Sequence, residues 1–131
     1  MRESFHLIRK LTFSRILNAL VLIIGYYASR ITRQPIQWGE PISLSIEPTT
    51  ACNLGCPECP SGLKMFTRPT GNLSPELFEK IISQIHKKLI YLTFYFQGEP
   101  FINKHFLKMV KYASDKGIFT STSTNAHFID N

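Results

Sequence analysis

Residues 42–60 read ISLSIEPTTACNLGCPECP, and they decide the expected fold because they join a strand pattern to a dense group of cysteines. Ile42–Ile46 alternates apolar and small polar residues, which predicts a β-strand. The only cysteines of the chain follow it within eight residues, as Cys52, Cys56 and Cys59. Three thiolates are one fewer than a closed tetrahedral site needs. This spacing therefore favours a metal centre that keeps one coordination position open.

Helices and strands are expected to alternate after the cysteine loop. The predicted elements are a helix that begins at Ser74-Pro75-Glu76, a strand over Tyr91–Phe96, a helix over residues 103–116 that Gly117 caps, and a strand over Ile118–Ser123. The side chains expected in the core are the first helix's stripe, the aromatic run of the strand, and Phe106, Leu107, Val110 and Ala113 of the second helix. The stripe consists of Leu77, Phe78, Ile81, Ile82, Ile85 and Leu89.

Strands that alternate with helices of this length imply right-handed crossovers and a parallel sheet. In such a sheet the functional groups lie beyond the C-terminal ends of the strands. Three unusual motifs follow the three predicted strands: the cysteine loop, Gly98-Glu99-Pro100 and Thr124-Asn125. We therefore expect all three motifs to meet at one rim of the sheet.

These motifs, in this order, resemble the radical S-adenosylmethionine (SAM) superfamily. The similar stretches are Glu47–Pro60, Gln97–Pro100 and Thr124-Asn125. They are most similar to the branch of the superfamily that has a C-terminal SPASM or twitch extension. The resemblance covers about residues 42–131. It implies an α/β fold in which this chain forms the first three units of a parallel (β/α)6 TIM-like barrel, an incomplete core domain.

The resemblance also implies the cofactors and their residues. Cys52, Cys56 and Cys59 would hold a [4Fe–4S] cluster, and the fourth iron would be left for SAM. Gly98 and Glu99 would receive the methionine ammonium of SAM. The polar contacts to its ribose or carboxylate would come from Thr124 and Asn125, for which simple turn chemistry is the alternative interpretation.

The implied reaction is reductive cleavage of SAM to a 5′-deoxyadenosyl radical, which abstracts hydrogen from an unknown substrate. A peptide or protein substrate and an external electron donor such as flavodoxin or ferredoxin are expected. Glu58 departs from the family pattern, which often has an aromatic residue before the last cysteine. Because only three β/α units and one cysteine group are present, we expect this chain to be the N-terminal portion of a longer protein.

Other interpretations of the cysteines remain open. A structural zinc site could take a fourth ligand from His86, His105 or His127, and Cys56 with Cys59 could form a redox pair. A truncated chain could also bind iron–sulfur or zinc without catalysing a reaction. Reconstitution with iron and sulfide, followed by an assay for 5′-deoxyadenosine, distinguishes these interpretations of the cysteines.

The first 33 residues have the pattern of a basic amphipathic helix, and residues 34–41 that of a linker. We expect the helix to dock on the domain or to lie on a membrane surface; a signal anchor and a cleaved signal are the alternatives. The apolar positions at helical spacing are Phe5, Ile8, Thr12, Ile16, Ala19, Leu20, Ile23 and Tyr27.

Charge and cysteine usage limit the partners and the compartment. The net charge of +6 is concentrated in residues 1–40, which hold six Lys and Arg against two acids. No basic cluster interleaved with aromatic residues is present, which argues against nucleic-acid binding. Three cysteines in one tight loop suit a reducing compartment, so we expect a cytoplasmic protein.

Overall fold

The structure, a computed structural model, describes residues 6–129. Phe5 of the predicted apolar face and the last two residues of the predicted core domain, 130 and 131, lie outside the described residues. The helices and strands, in chain order, are α1 Phe13–Thr32, β1 Ser43–Ser45, α2 Pro75–Ile85, β2 Tyr91–Phe94, a 3-10 turn Pro100–Ile102, α3 Phe106–Asp115 and β3 Phe119–Thr122.

The three strands form one parallel sheet in the order β1-β2-β3. Leu44 pairs with Leu92, and Leu92 pairs with Thr120. Helices α2 and α3 make the two crossovers between parallel neighbours. The predicted α/β class and parallel sheet are confirmed, and the arrangement is that of the first three units of a barrel.

The core lies between the sheet and helices α2 and α3. Its fully buried side chains include Phe78 and Ile82 of α2, Leu92 and Phe94 of β2, and Phe106, Met109 and Ala113 of α3. The prediction that Leu77 and Leu107 are buried is wrong, since their side chains are 50% and 63% exposed. Helix α3 begins at Phe106, so positions 106, 109 and 113 share the face toward the sheet and 107 lies on another.

The aromatic run at β2 is also less buried than predicted. The strand ends at Phe94, and the next two residues, Tyr95 and Phe96, are 44% and 73% exposed. They lie beyond the last strand pairing, which is Phe94 with Thr122. The prediction that the whole run is core is therefore wrong for these two aromatic side chains.

Helix ends follow the predicted chemistry with one exception. The Ser74 hydroxyl accepts a hydrogen bond from the Leu77 N–H at 3.2 Å, and Gly117 takes the left-handed conformation (φ +74°) after α3. Helix α3 begins later than the predicted Asn103. The amide of Asn103 is buried and donates to the carbonyls of Pro48 and Leu73 at 2.8 and 3.0 Å.

Helix α1 begins at Phe13, after Thr12 accepts a hydrogen bond from the Arg15 N–H, rather than running continuously from the N-terminus. It rests on the domain through an unexpected face. The buried residues of α1 are Arg15, Asn18 and Gly25, whereas the apolar positions predicted for the amphipathic face are exposed or only partly buried. Residues 34–41 contain no helix or strand.

Arg15 fixes α1 to the domain. Its guanidinium donates to the carbonyls of His86 at the end of α2 (2.8 Å) and of Gly117 and Lys116 after α3 (2.7 and 3.3 Å). Helix C-termini carry partial negative charge, so the guanidinium stabilises the C-terminal ends of both helices. Burial lowers the pKa of this guanidinium below its ordinary value. The N-terminal ends of the strands lie on this side, which we call the base.

Replacing Arg15 by methionine is expected to lower the free energy of unfolding by about 2–4 kcal/mol, because the carbonyls of His86, Lys116 and Gly117 lose a charged donor. Urea unfolding followed by circular dichroism measures this. The matched control is Arg30→Met, which removes an exposed guanidinium from the same helix and should change stability by less than about 0.5 kcal/mol. Equal effects from both substitutions would contradict the capping role of Arg15.

Candidate active site at the rim of the sheet

The cysteine loop follows β1 at the C-terminal rim of the sheet. Cys52 and Cys59 are partly buried and Cys56 is exposed, and all three are free thiols. A short turn shapes the loop: the Cys59 N–H donates to the Cys56 carbonyl at 3.2 Å, and the Leu63 N–H donates to the Cys59 carbonyl at 2.9 Å. The loop thus presents three thiols at the edge where a parallel sheet places its functional groups.

Gly98 lets the end of β2 approach this loop closely. Its backbone is left-handed (φ +77°), and a Cβ at this position would collide with the Thr49 carbonyl oxygen and lie 2.8 Å from that of Ala51. The adjoining Glu99 N–H donates to the Ala51 carbonyl at 2.7 Å. Only glycine satisfies both the conformation and the contact, so the two motifs are packed main chain against main chain.

The side chains of Gln97 and Ser61 tie the two motifs together near the last cysteine. The Ser61 hydroxyl donates to the Gln97 side-chain oxygen at 3.2 Å and accepts from the Gly98 N–H at 3.1 Å. The same oxygen of Gln97 lies 3.6 Å from the Cys59 sulfur. This network fixes the loop around Cys59 to the end of β2.

Glu99 joins β2 to the end of β3. Its carboxylate is buried (2% exposed) and accepts hydrogen bonds from the Thr124 hydroxyl at 2.7 Å and the Asn125 N–H at 2.8 Å. The Phe101 N–H donates to it as well, at 3.3 Å. The structure therefore brings together three of the predicted SAM-contacting residues, and it shows a joining contact between them that the motifs did not predict.

A second contact joins the end of β3 to the cysteine loop. The Asn125 amide donates to the Asn53 side-chain oxygen at 2.8 Å, and the Asn53 amide lies 3.1 Å from Nδ1 of His127. Sequence reasoning assigned no role to Asn53, and it offered His127 only as an alternative ligand for a structural zinc site. Asn53 lies next to Cys52 in the chain, but nothing in the sequence indicates that residues more than 70 positions apart would meet here.

A cavity of about 320 Å³ opens between these motifs. All four residues predicted to contact SAM line it together with Cys52. Its wall also contains Tyr95 and Phe96, which the sequence had assigned to the core. Their position next to the Gln97-Gly98-Glu99 motif could have indicated that they line the cavity, because residues just past the end of a parallel strand lie at the functional rim.

The three thiols share the rim without forming a ligand group. Within residues 6–129, no three His, Cys, Asp or Glu side chains lie close enough together to hold a metal ion. The Cys52 sulfur accepts from the Leu54 N–H at 3.5 Å, while Cys59 faces Gln97. The donor chemistry nevertheless suits an iron–sulfur cluster, since the set consists of free, accessible thiols on one loop.

Cys59 is the cysteine whose environment favours the thiolate. The backbone N–H groups of Gly62 and then Ser61 donate toward its sulfur and lower the pKa of the thiol, with a further contribution from the Ser61 hydroxyl. Hydrogen bonds to the charged form stabilise it over the neutral form. The thiolate is the form of cysteine that binds metals.

The chain is similar to one protein family and to several characterised proteins. The family described as Radical SAM superfamily matches residues 46–130. A PqqA peptide cyclase of Bradyrhizobium diazoefficiens is 29% identical over 89 residues, which are 68% of this chain and 23% of that protein. The mycofactocin maturase MftC of Mycobacterium ulcerans is 33% identical over 85 residues, 65% of this chain and 22% of that protein. The chain thus spans less than a quarter of these relatives' length.

A solved structure shares the fold. The crystal structure of BtrN in complex with AdoMet and 2-DOIA superposes with a TM-score of 0.59 over 67% of this chain and 37% of that one, at 24% sequence identity. At this identity the likeness concerns the fold alone. It supports the interpretation of the three-stranded sheet as part of a larger barrel.

Gly98→Ala is expected to lower the free energy of unfolding by at least about 2 kcal/mol. The alanine would have to adopt a left-handed backbone, and its Cβ would collide with the Thr49 carbonyl oxygen. Gly71→Ala is the matched control. A Cβ at Gly71 meets nothing within 4 Å, so the change should cost less than about 0.5 kcal/mol. Urea unfolding of both variants provides the comparison, and a fully stable Gly98→Ala protein would contradict the close packing of the two motifs.

Cys59 should react with iodoacetamide at lower pH than an ordinary thiol, because its lowered pKa keeps the reactive thiolate populated as pH falls. The rate is measured against pH in a Cys52→Ser/Cys56→Ser variant, in which Cys59 is the only thiol. The same variant unfolded in urea is the control and should show the ordinary midpoint. Coincident folded and unfolded profiles would refute the proposed stabilisation of the thiolate.

Proposed function

The chain belongs to the radical SAM superfamily, and from this membership we propose that residues 42–131 bind a [4Fe–4S] cluster and SAM in a reductive SAM-cleaving enzyme. The observation that carries the proposal is the convergence of three motifs. The cysteine loop packs against Gly98, and Glu99 holds the residues that follow β3. Motifs from three separate strands therefore border one cavity.

Cys52, Cys56 and Cys59 are the proposed cluster ligands. When bound, the cluster would supply the electron that splits SAM into methionine and a 5′-deoxyadenosyl radical, which abstracts hydrogen from the substrate. Three protein ligands leave one iron accessible to SAM. The protein's own part is to hold the loop at the rim through the contacts of Gly98 and Gln97.

Gly98 and Glu99 are the proposed site for the methionine ammonium of SAM. An ionised carboxylate offers about four acceptor positions, and three N–H or O–H donors already occupy Glu99. One position thus remains for an ammonium donor, together with backbone carbonyls near Gly98. Thr124 and Asn125 are the proposed contacts to the SAM ribose or carboxylate, held in place by the same carboxylate.

Tyr95 and Phe96 are proposed to contact the adenine of SAM. The family's frequent aromatic residue before the last cysteine is replaced here by Glu58. Both aromatic side chains are exposed at the cavity, and the flat faces of such rings suit stacking on a nucleobase. They therefore supply at the end of β2 the contact that Glu58 cannot make.

A peptide or protein is the proposed substrate class, and the SPASM or twitch branch the proposed subfamily. The support is similarity to a protein named PqqA peptide cyclase and to a mycofactocin maturase. An external flavodoxin or ferredoxin is the proposed electron donor. The free thiols suit a reducing cytoplasmic compartment, and residues 1–33 are a proposed contact with a membrane surface.

The alternative function is that of a non-catalytic iron–sulfur or zinc-binding protein. The observation that suits it is the set of three free cysteines on one loop, which could hold a metal without catalysing a reaction. A structural zinc site would need a histidine beside the cysteines. His86 lies at the base, where its carbonyl accepts from Arg15, whereas the His127 ring lies 3.1 Å from the Asn53 amide beside the cysteine loop.

Anaerobic reconstitution of the full chain with iron and sulfide should give a brown protein with about four iron atoms per chain. Cys56→Ala should lose most of this iron, because Cys56 is one of three ligands. Thr67→Ala is the control, since it changes an exposed residue shortly after the cysteine loop without removing a thiol. Dithionite and SAM added to the reconstituted protein should yield 5′-deoxyadenosine.

A colourless product that carries zinc would refute the iron–sulfur proposal. A cluster that forms normally but never cleaves SAM would favour the non-catalytic alternative. Full iron content in Cys56→Ala would remove this residue from the ligand set.

A further inference from the structure

Helix α1 turns its apolar side away from the domain. Phe13 and Ile31, near its two ends, are 82% and 83% exposed. Between them lies a continuous apolar surface, which we call the outward face. Its side chains are each about half exposed, and they are Ile16, Leu17, Leu20, Ile23, Ile24 and Tyr27. Apolar patches of this extent are rare on proteins that have no partner there.

Polar contacts hold the helix in this orientation. Arg15 is fixed by the carbonyls that follow α2 and α3, and Asn18 exchanges two hydrogen bonds with the backbone of Glu40, at 2.8 and 2.9 Å. The Ser29 hydroxyl accepts from the Ile36 N–H at 2.9 Å. Rolling the helix to bury its apolar side would break all of these bonds. The outward face is therefore a fixed feature of the fold.

The charge around the outward face indicates what kind of surface would bind it. Residues 4–39 contain no Asp or Glu but five Lys and Arg. Lys10 precedes the helix, while Arg30 and Arg33 are exposed at its end. At the N-terminal end of the helix, a cleft of about 340 Å³ is lined by further basic residues, Lys87 and Lys116 among them. An apolar face with cationic ends complements a surface that has an apolar interior and anionic headgroups.

The geometry favours a helix that lies along such a surface. In the part of the chain that the structure describes, no helix is long and apolar enough to cross a membrane. Trp38, the single tryptophan, follows the helix and is 60% exposed, and Tyr26 and Tyr27 are exposed on the helix itself. Tryptophan and tyrosine favour the boundary between lipid headgroups and acyl chains.

We propose that α1 docks the base of the domain on an anionic lipid bilayer, with the outward face in the interfacial layer and Lys10, Arg30 and Arg33 against the headgroups. The base lies at the N-terminal ends of the strands, whereas the cysteine loop lies at their C-terminal ends. Docking would therefore leave the active-site rim open toward water. This inference does not depend on the cluster or on SAM.

Vesicle partition of the full chain tests the proposal. Vesicles of phosphatidylcholine with about one third phosphatidylglycerol should bind the protein at least roughly tenfold more tightly than vesicles of phosphatidylcholine alone. Added salt should weaken the binding, and the emission of Trp38 should shift to shorter wavelength on binding. Equal binding to both kinds of vesicle would overturn the anionic preference.

Two pairs of variants test the two parts of the surface. Leu20→Glu/Ile24→Glu should lower the partition coefficient by roughly tenfold or more, whereas Leu107→Glu, on the exposed side of α3, should leave it unchanged. Arg30→Gln/Arg33→Gln should lower binding to anionic vesicles by roughly tenfold, and the charge-matched control Lys80→Gln/Lys108→Gln should not. The proposal would be overturned in favour of a protein partner if the chain does not bind vesicles but forms a dimer, and if Leu20→Glu dissociates that dimer. Cluster content is measured separately, so failure here leaves the proposed reaction untouched.

Discussion

The close contact between Gly98 and the main chain before Cys52 is the constraint on which the site depends. Without a side chain, the end of β2 can approach the Thr49 and Ala51 carbonyls, and the Glu99 N–H then donates to Ala51. The same residue sends its carboxylate to the start of the loop after β3. One glycine and one buried acid thus connect the ends of all three strands, and a change at either would separate motifs that work only together.

The fold was largely predictable because its signals are local. The Ser74-Pro75 helix start, the Gly117 cap and the alternation of strands and helices each follow from a few neighbouring residues, and the parallel sheet follows from their order. The errors have a common cause. Leu107, Tyr95 and Phe96 were assigned to the core because they are apolar, but the starting residue of α3 and the end of β2 decide which way they face.

The candidate site was predictable only in part. The motif resemblance selected the three cysteines, Gly98, Glu99, Thr124 and Asn125, and the structure places these residues along one rim. The links through Asn53 and His127, and the joining role of the Glu99 carboxylate, were not predictable. They are contacts between segments that lie far apart in the chain, and no local pattern encodes them.

Helix α1 reverses the usual rule for amphipathic helices on globular domains, and Arg15 explains why. The guanidinium binds the carbonyl ends of two helices, and with Arg15 and Asn18 facing the domain the apolar residues of α1 face outward. The domain therefore presents a cysteine rim at one end of the sheet and an apolar, basic surface at the other.

The central claim is that three cysteines hold a cluster and leave one iron for SAM. Electron paramagnetic resonance of the reduced, reconstituted chain tests it most directly, with and without added SAM. The account predicts a [4Fe–4S]⁺ signal whose g-values change when SAM is added, and no such change with adenosine, which lacks the amino and carboxylate groups of SAM. A reduced protein without this signal, or with a signal whose g-values do not change when SAM is added, would contradict the account.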